Sequence, residues 1–217
     1  MLLSGGIDSA TCLYYARREG YEVRALTISF YHIARGELRA ARGLARAARV
    51  KEHRMVSIPE LREASDIAGS EFPNRPPTYI PQRNSIFYGL AANYAEEVGA
   101  DYIIGGHNKD DQAAFDDTRD LYFEKLQEAF WAASSALRFR RTSILRPLKT
   151  KTKPEVIRYA SALGVPLELT WSCHREGWRP CLRCEGCRAR VRNFALAGID
   201  DPASHESLRA RYALRKS

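Results

Sequence analysis

The sequence predicts an α/β protein in which helices cover both faces of a parallel sheet. Short apolar, partly β-branched stretches alternate with helical stretches through residues 1–150, and this alternation is typical of parallel strands joined by crossover helices. A glycine-rich turn, Ser4-Gly5-Gly6-Ile7-Asp8-Ser9, stands between the first apolar residues and the first helical stretch. Ligands of such sheets bind at loops that follow the strands.

The predicted elements follow one another closely. We expect strands near residues 23–30, 55–58, 101–104 and 143–145, and helices near residues 9–18, 36–49, 86–98, 120–136 and 153–163. The proline-containing stretch 59–79 has no clean period and is predicted to be a loop or lid over a site. The chain is expected to form one compact unit, with an α/β domain over residues 1–150 and a helical region over residues 151–217.

Composition restricts the class of protein. The chain has 217 residues, of which 45% are hydrophobic and 28% charged, as in ordinary globular proteins. No apolar run approaches the roughly 20 residues that cross a bilayer, and no signal-peptide pattern precedes the glycine turn, so a cytoplasmic protein with no membrane partner is predicted. Met1-Leu2-Leu3 leaves little room for a first strand, so we expect either a short strand or a natural start further upstream.

The net charge of +8 fits two kinds of partner. It suits a nucleic acid, and it equally suits a pocket for ATP and an anionic small molecule. The basic residues do not form one block, so binding of a nucleic acid is not required.

The glycine turn is predicted to bind phosphate. Gly5 and Gly6 allow backbone N–H groups to surround an anion, Ser4 and Ser9 add hydroxyls, and the following helix adds its positive end. The turn lacks the Gly-Lys-Ser/Thr of a Walker loop, so it does not predict γ-phosphoryl transfer.

Asp8 lies among groups that would face a triphosphate. Its predicted task is to help hold Mg²⁺, because this cation prefers carboxylate and phosphate oxygens; a helix cap is the alternative. One of Lys149, Lys151 and Lys153 is predicted to neutralise charge that develops on phosphate.

Four cysteines near the C-terminus, Cys173, Cys181, Cys184 and Cys187, have the spacing C-x7-C-x2-C-x2-C. Thiolates clustered on a tight turn suit structural, tetrahedral Zn²⁺, while an iron–sulfur cluster remains an alternative. His174 is expected to lie outside the ligand set. Cys12 is expected to be a small buried residue of the first helix.

The loop from Gly105 to Arg119 follows a core strand and is rich in acidic residues. Asp111 and Asp117 are predicted to bind substrate or metal, and His107 is either a site residue or a packed loop histidine. In Pro81-Gln82-Arg83-Asn84, Arg83 could bind an anion and Asn84 could bind a planar heterocycle.

Together these motifs resemble the QueC family, the 7-cyano-7-deazaguanine synthases of the PP-loop ATP pyrophosphatase superfamily. The resemblance rests on the glycine turn, Pro81 to Asn84, the loop from Gly106 to Arg119, Lys153, and the cysteine pattern followed by Arg188. It implies a Rossmann-like fold of the adenine nucleotide α-hydrolase type. It also implies that Ser4, Gly5, Gly6, Asp8 and Ser9 bind ATP, and that Asp8, Asp111 and Lys153 are catalytic.

The implied reaction converts 7-carboxy-7-deazaguanine and ammonia to 7-cyano-7-deazaguanine. The carboxylate would be adenylated, ammonia would displace AMP to give an amide, and a second activation would allow dehydration to the nitrile. Arg83, Asn84, Phe115, Asp117 and Arg119 are the residues expected to bind this acceptor. The resemblance also implies a homodimer with one zinc ion per chain. It further implies that the reaction uses Mg²⁺ and ATP.

The chain departs from the family pattern in two loops. Asp116 stands where the family has proline in its Tyr/Phe-Pro-Asp motif, and His32-Ile33-Ala34 replaces a Gln-x-His pattern before Glu37. Three alternatives therefore stay open: a paralogue that adenylates another deazapurine or a protein group, a PP-loop enzyme that modifies tRNA, and a non-enzymatic zinc interaction module.

Overall fold

A computed structural model describes residues 1–30, 35–63, 79–134 and 141–203. The strands in these ranges are β1 (Arg24–Phe30), β2 (Glu52–Ile58), β3 (Tyr102–Ile104) and β4 (Ser143–Leu145). The α-helices are α1 (Ile7–Arg18), α2 (Arg35–Ala47), α3 (Arg83–Val98), α4 (Lys109–Ala114), α5 (Asp120–Ala133), α6 (Lys153–Ala162) and α7 (Glu185–Ala197).

The strands pair in parallel. β1 pairs with β2 from Arg24 opposite Glu52 onward, and β3 pairs with β4. The segment 1–3 joins the two pairs, because Leu2 N donates to the Ile104 carbonyl at 3.0 Å and Leu3 N donates to the Leu26 carbonyl at 2.9 Å. The order across the sheet is therefore β2, β1, segment 1–3, β3 and β4, which places the short segment 1–3 at its centre.

Helices pack on both faces of this sheet, as predicted. Leu3, Ala25 and Ile104 belong to one apolar cluster, which also contains buried residues of α1, α2, α6 and α7. Leu26 and Ile103 belong to a second cluster, formed with α3 and α5. Successive strand residues thus alternate between the two clusters because side chains of a strand point to opposite faces.

The predicted elements are found within a few residues of their predicted bounds, and the described residues add two helices, α4 in the acidic loop and α7 after the cysteines. The acidic loop contains α4 and a 3-10 turn, Asp116–Thr118. The pattern of apolar residues could not reveal α4 because none of its residues is buried. Its start is fixed by Asn108, whose side chain accepts hydrogen bonds from the amides of Asp110 and Asp111.

Parts of two predicted loops lie outside the described residues. These parts are residues 31–34, which include His32-Ile33-Ala34, and residues 64–78 of the predicted lid. Within the described ranges, no helix combines the length and the apolar character that a membrane span requires.

Candidate functional site

The glycine turn has a backbone that requires glycine. Gly5 has a φ of +90°, and a Cβ there would lie 2.5 Å from the Glu37 carbonyl oxygen and 2.8 Å from the amide nitrogen of Ala41. Both the left-handed conformation and the close approach of α2 exclude a side chain. The N-terminal end of α2 is therefore packed directly against the turn.

Two serines close the glycine turn. Ser9 Oγ donates to the Gly6 carbonyl at 3.0 Å and lies 3.1 Å from Ser4 Oγ. The first backbone hydrogen bond of α1 runs from Ala10 N to the Gly6 carbonyl, so the amides that precede Ala10 have no acceptor within the helix. This end of α1 is suited to bind an anion.

Asp8 is an ion-pair partner and is not a helix cap. Lys153 Nζ donates to Asp8 Oδ2 at 2.5 Å, while Gly6 precedes α1 without any side-chain cap. The second carboxylate oxygen of Asp8 is buried and has no hydrogen-bond partner among the described residues. A buried oxygen without a partner is costly, so this oxygen is available to a cation or to a ligand of the site.

Asp111 lies on the other side of this ion pair. Burial, followed by the charge of Asp8, raises the pKa of Asp111 to about 6. Its side chain accepts a hydrogen bond from Asn108 N at 2.9 Å, and neighbouring Asp110 accepts one from Lys153 N at 2.9 Å. The starts of α1, α4 and α6 thus bring the carboxylates of Asp8 and Asp111 close to the ammonium group of Lys153.

The three candidate lysines have different partners, and Lys153, which the family resemblance already names, is the one that contacts Asp8. Lys149 Nζ lies 3.4 Å from a carboxylate oxygen of Asp120, and Lys151 Nζ lies over the ring of Tyr159. Only Lys153, among these three, contacts the carboxylate of the glycine turn.

A cavity of about 270 Å³ opens beside the glycine turn. The residues that line it include Ser4, Gly6, Asp8, Glu37, Lys153, Trp171, Ser172, His174 and Arg190. A second cavity of about 210 Å³ lies by Arg24 and Tyr102, at the amino ends of β1 and β3. The first cavity is the better candidate because ligands of parallel sheets bind beyond the carboxyl ends of the strands.

The four cysteines form one cluster. Their sulfur atoms all lie within 4.8 Å of one another, with 3.8 Å between Cys173 and Cys184 and 4.0 Å between Cys181 and Cys187. A tetrahedral site with Zn–S bonds of about 2.3 Å has S–S separations of about 3.8 Å. The cluster could therefore hold a metal ion. His174 is exposed and is not a member of it.

The cysteine segment is connected to the glycine turn. Trp171 N donates to the Gly5 carbonyl at 2.9 Å, and its indole packs so closely on Gly36 that a Cβ there would clash. Arg190 of α7 is buried and makes two 2.8 Å hydrogen bonds to the carboxylate of Asp201. The segment that carries the four cysteines and the glycine turn are therefore packed against each other.

Residues that the sequence assigns to the acceptor form a second, smaller region. Asn84 Nδ2 donates to the Asp117 carbonyl at 3.0 Å, and Asn84 N lies 3.4 Å from Asp117 Oδ2. A cavity of about 200 Å³ is lined by Tyr79, Gln82, Asp116, Asp117 and Tyr122. Asn84 and Asp117 are thus brought together from α3 and the acidic loop.

The other acceptor candidates have different environments. Arg119 forms an exposed ion pair with Asp116 at 2.9 Å. The Phe115 carbonyl accepts hydrogen bonds from Thr118. The positive charge of the Arg83 guanidinium acts to lower the pKa of Glu37.

His107 and Cys12 are packed residues. The His107 ring stacks on Tyr88 and contacts Phe123, and burial lowers the pKa of His107 to about 3. The side chain of Cys12 is fully buried. Of the two roles that the sequence leaves open for His107, packing is the one its ring contacts support.

Sequence reasoning assigned no role to Glu37, Trp171 or Arg190, all of which line the cavity. Glu37 and Arg190 look like ordinary charged residues of amphipathic helices. Their place in the cavity depends on the packing of α2 against the glycine turn and of α7 against α6, which no local pattern reveals.

Comparison with known proteins agrees with this arrangement. A sequence model described as "Queuosine biosynthesis protein QueC" matches residues 1–198. The chain is 35% identical to a 7-cyano-7-deazaguanine synthase of Thermoplasma acidophilum, over 95% of this chain and 91% of that protein. It is 34% identical to that of Nostoc punctiforme (93% and 96% covered) and 36% identical to that of Acetivibrio thermocellus (93% and 94% covered). With a parallel sheet, a glycine turn and a four-cysteine cluster in the expected order, the chain belongs to the QueC family.

Proposed function

We propose that this chain is a 7-cyano-7-deazaguanine synthase, an ATP-dependent ligase of queuosine biosynthesis. It would convert 7-carboxy-7-deazaguanine and ammonia to the nitrile through an adenylated carboxylate and an amide. The observation that carries the proposal is the cavity in which the glycine turn, Asp8 and Lys153 meet, in a chain that the QueC model matches over residues 1–198.

On the nucleotide side, the backbone of the glycine turn and the hydroxyls of Ser4 and Ser9 would hold the pyrophosphate part of ATP. Lys153 would stabilise the negative charge that grows on the leaving pyrophosphate as the carboxylate oxygen attacks the α-phosphorus. Its ion pair with Asp8 orients the ammonium group toward the turn.

Asp8 and Asp111 would hold Mg²⁺, since the free oxygen of Asp8 and the nearby Asp111 carboxylate form the oxygen donor set that this cation prefers. When bound, the cation neutralises phosphate charge and polarises the phosphorus–oxygen bonds.

On the acceptor side, Asn84 and Asp117 would bind the polar edge of the deazapurine, since hydrogen bonds from Asn84 to the carbonyl and the carboxylate of Asp117 hold the two residues together. Phe115 would stack on the base, and Arg83 and Arg119 would attract its carboxylate. For Arg119 this requires release of the exposed ion pair with Asp116.

The four-cysteine cluster would hold one structural Zn²⁺ per chain, because its sulfur spacings fit a tetrahedral site with no open position. Reduced thiols of this kind suit the cytoplasm. A homodimer is the expected assembly, and light scattering coupled to size-exclusion chromatography tests it.

The direct test is conversion of 7-carboxy-7-deazaguanine with ATP, ammonium and Mg²⁺, followed by mass spectrometry. We expect amide and then nitrile, both absent with Asp8→Ala and both retained with Asp200→Ala, which removes an exposed aspartate. Absence of both products from folded, metal-loaded protein would contradict the proposal.

A second candidate is a paralogue that adenylates another deazapurine or a protein group. It is favoured by Asp116, which replaces the family proline and draws Arg119 into a surface ion pair. Acceptor-dependent ATP–pyrophosphate exchange separates the two candidates, since exchange with other carboxylates but not with 7-carboxy-7-deazaguanine supports the paralogue.

A further inference from the structure

Glu37 is a carboxylate of the cavity that the nucleotide chemistry leaves unused. It lies in the first turn of α2, and its carbonyl oxygen is packed against Gly5. Its side chain lines the same cavity as Asp8 and Lys153. The tight contact of α2 with the glycine turn therefore fixes Glu37 at a set distance from the place where phosphate binds.

The environment of Glu37 differs from that of the other carboxylates in this cavity. Asp8 is paired with Lys153, and Asp111 accepts a hydrogen bond from Asn108 N. Glu37 has no ion pair in the described part of the chain. Burial raises the pKa of Glu37 to about 7, while the Arg83 guanidinium opposes this shift and the Glu63 carboxylate adds to it.

Charged groups surround Glu37 from several elements. Across the cavity are Asp8 of α1, Lys153 of α6, His174, and Arg190 of α7. Arg83 of α3 and Glu63 act on it from the acceptor side. Glu37 thus lines the cavity of the glycine turn and is within electrostatic reach of Arg83, a candidate for binding the acceptor carboxylate. In this cavity the nitrogen nucleophile would meet the activated carboxyl carbon.

The proposed reaction needs a proton acceptor at this place. When ammonia attacks the acyl adenylate, a C–N bond forms, the C–O bond to AMP breaks, and AMP leaves with the electron pair. One proton must leave the nitrogen to give the neutral amide. In the second round the amide oxygen attacks the α-phosphorus of another ATP, pyrophosphate leaves, and both remaining N–H protons are lost as the C≡N bond forms and AMP departs.

We propose, on the basis of the function proposed above, that Glu37 is the general base that takes these protons from nitrogen, one at a time, and passes them to solvent. A partly buried carboxylate that can exchange its proton near neutral pH is suited to this task. Glu37 would take no part in adenylation, in which no N–H bond breaks.

The test compares Glu37→Gln with Glu22→Gln in the full-length, metal-loaded protein. Glutamine keeps the size of Glu37 but accepts no proton, and Glu22 is an exposed glutamate paired with Lys51. Acceptor-dependent ATP–pyrophosphate exchange reports adenylation, and quenched-flow mass spectrometry at a fixed concentration of free ammonia reports amide and nitrile formation.

We expect E37Q to keep pyrophosphate exchange within about threefold and to lose about 10²-fold in the rate of amide and nitrile formation. In the wild type and in E22Q, this rate rises with pH through about 7, where Glu37 loses its proton, and the rise is absent in E37Q. The retained exchange shows that the variant is folded.

Three results would overturn the inference. They are an E37Q variant that loses exchange as well, one that changes only the KM for the acceptor, and one that keeps the wild-type pH profile of the nitrogen steps. If the wild type itself shows no exchange with 7-carboxy-7-deazaguanine, the proposed function fails, and this outcome is distinct from failure of the role of Glu37.

Discussion

The two regions of the site are built in different ways. The nucleotide side is fixed by close contacts: Gly5 against α2, Lys153 against Asp8, and Trp171 against the Gly5 carbonyl. The acceptor side joins Asn84 to Asp117 through hydrogen bonds of 3.0 and 3.4 Å. Phosphate can be bound by backbone amides and a helix end, whereas a heterocycle needs side chains supplied by separate elements. From this difference we expect nucleotide chemistry to be the more constrained part of this enzyme and acceptor choice the more variable part.

The largest expected effect is on the nucleotide side. Lys153→Met removes the ammonium group but keeps most of the side-chain length, so we expect kcat/KM to fall about 10²- to 10³-fold. ATP–pyrophosphate exchange measures the loss.

Lys149→Met is the matched control for that experiment. Lys149 belongs to the same segment but contacts Asp120 on the surface, so its loss should change exchange by less than about threefold. Equal effects of the two variants would refute the selection of Lys153.

The next-largest effect is expected on the stability of the segment that holds the four cysteines. Cys187→Ser removes one of four clustered thiolates, and we expect the metal content to fall and the free energy of unfolding to drop by about 4 kcal/mol, or about 10 °C in Tm. Elemental analysis and thermal unfolding measure the two quantities. Cys12→Ala, at a buried thiol outside the cluster, should retain the metal, and metal loss in both variants would contradict the assignment.

We expect a substitution on the acceptor side to have a smaller effect, and one confined to binding of the acceptor. Asp117→Asn removes a charge next to Asn84, so we expect about 2 kcal/mol of lost acceptor binding, roughly a 30-fold rise in the acceptor KM. The KM for ATP should stay within about twofold. A parallel rise in both KM values would mean that the two regions are not separable.

His107 lies on the loop between the two regions and should make stability depend on pH. Its pKa is lowered to about 3 in the folded protein, against about 6.5 in an unfolded chain. Its stabilising contribution is therefore complete above about pH 6.5 and is lost as the pH falls toward 3.

Between pH 7 and pH 5, protonation of His107 is expected to lower the free energy of unfolding by about 2 kcal/mol. His107→Phe keeps an aromatic ring beside Tyr88 and Phe123 but cannot take up a proton. Urea unfolding at both pH values should show a smaller loss in the variant, and an equal loss in the two proteins would show that His107 is not the responsible group.

Much of the nucleotide side could be predicted because its signals are local. The glycine turn occupies six consecutive residues and the cysteine pattern falls within one short segment, so residue type and spacing alone predict an anion site and a metal site. The alternation of strands and helices predicts the edge of the sheet at which the glycine turn lies.

The sequence by itself determined the order of elements, the parallel sheet, the glycine turn and the four-cysteine pattern, because each depends on spacing between near neighbours. Only the tertiary structure decided that Lys153 is the lysine that meets Asp8, 145 positions away, that His107 is packed, and that Glu37 and Arg190 line the cavity. These outcomes depend on how helices from distant parts of the chain pack against α1, and that packing is set by the shapes of whole buried faces, which no single motif encodes.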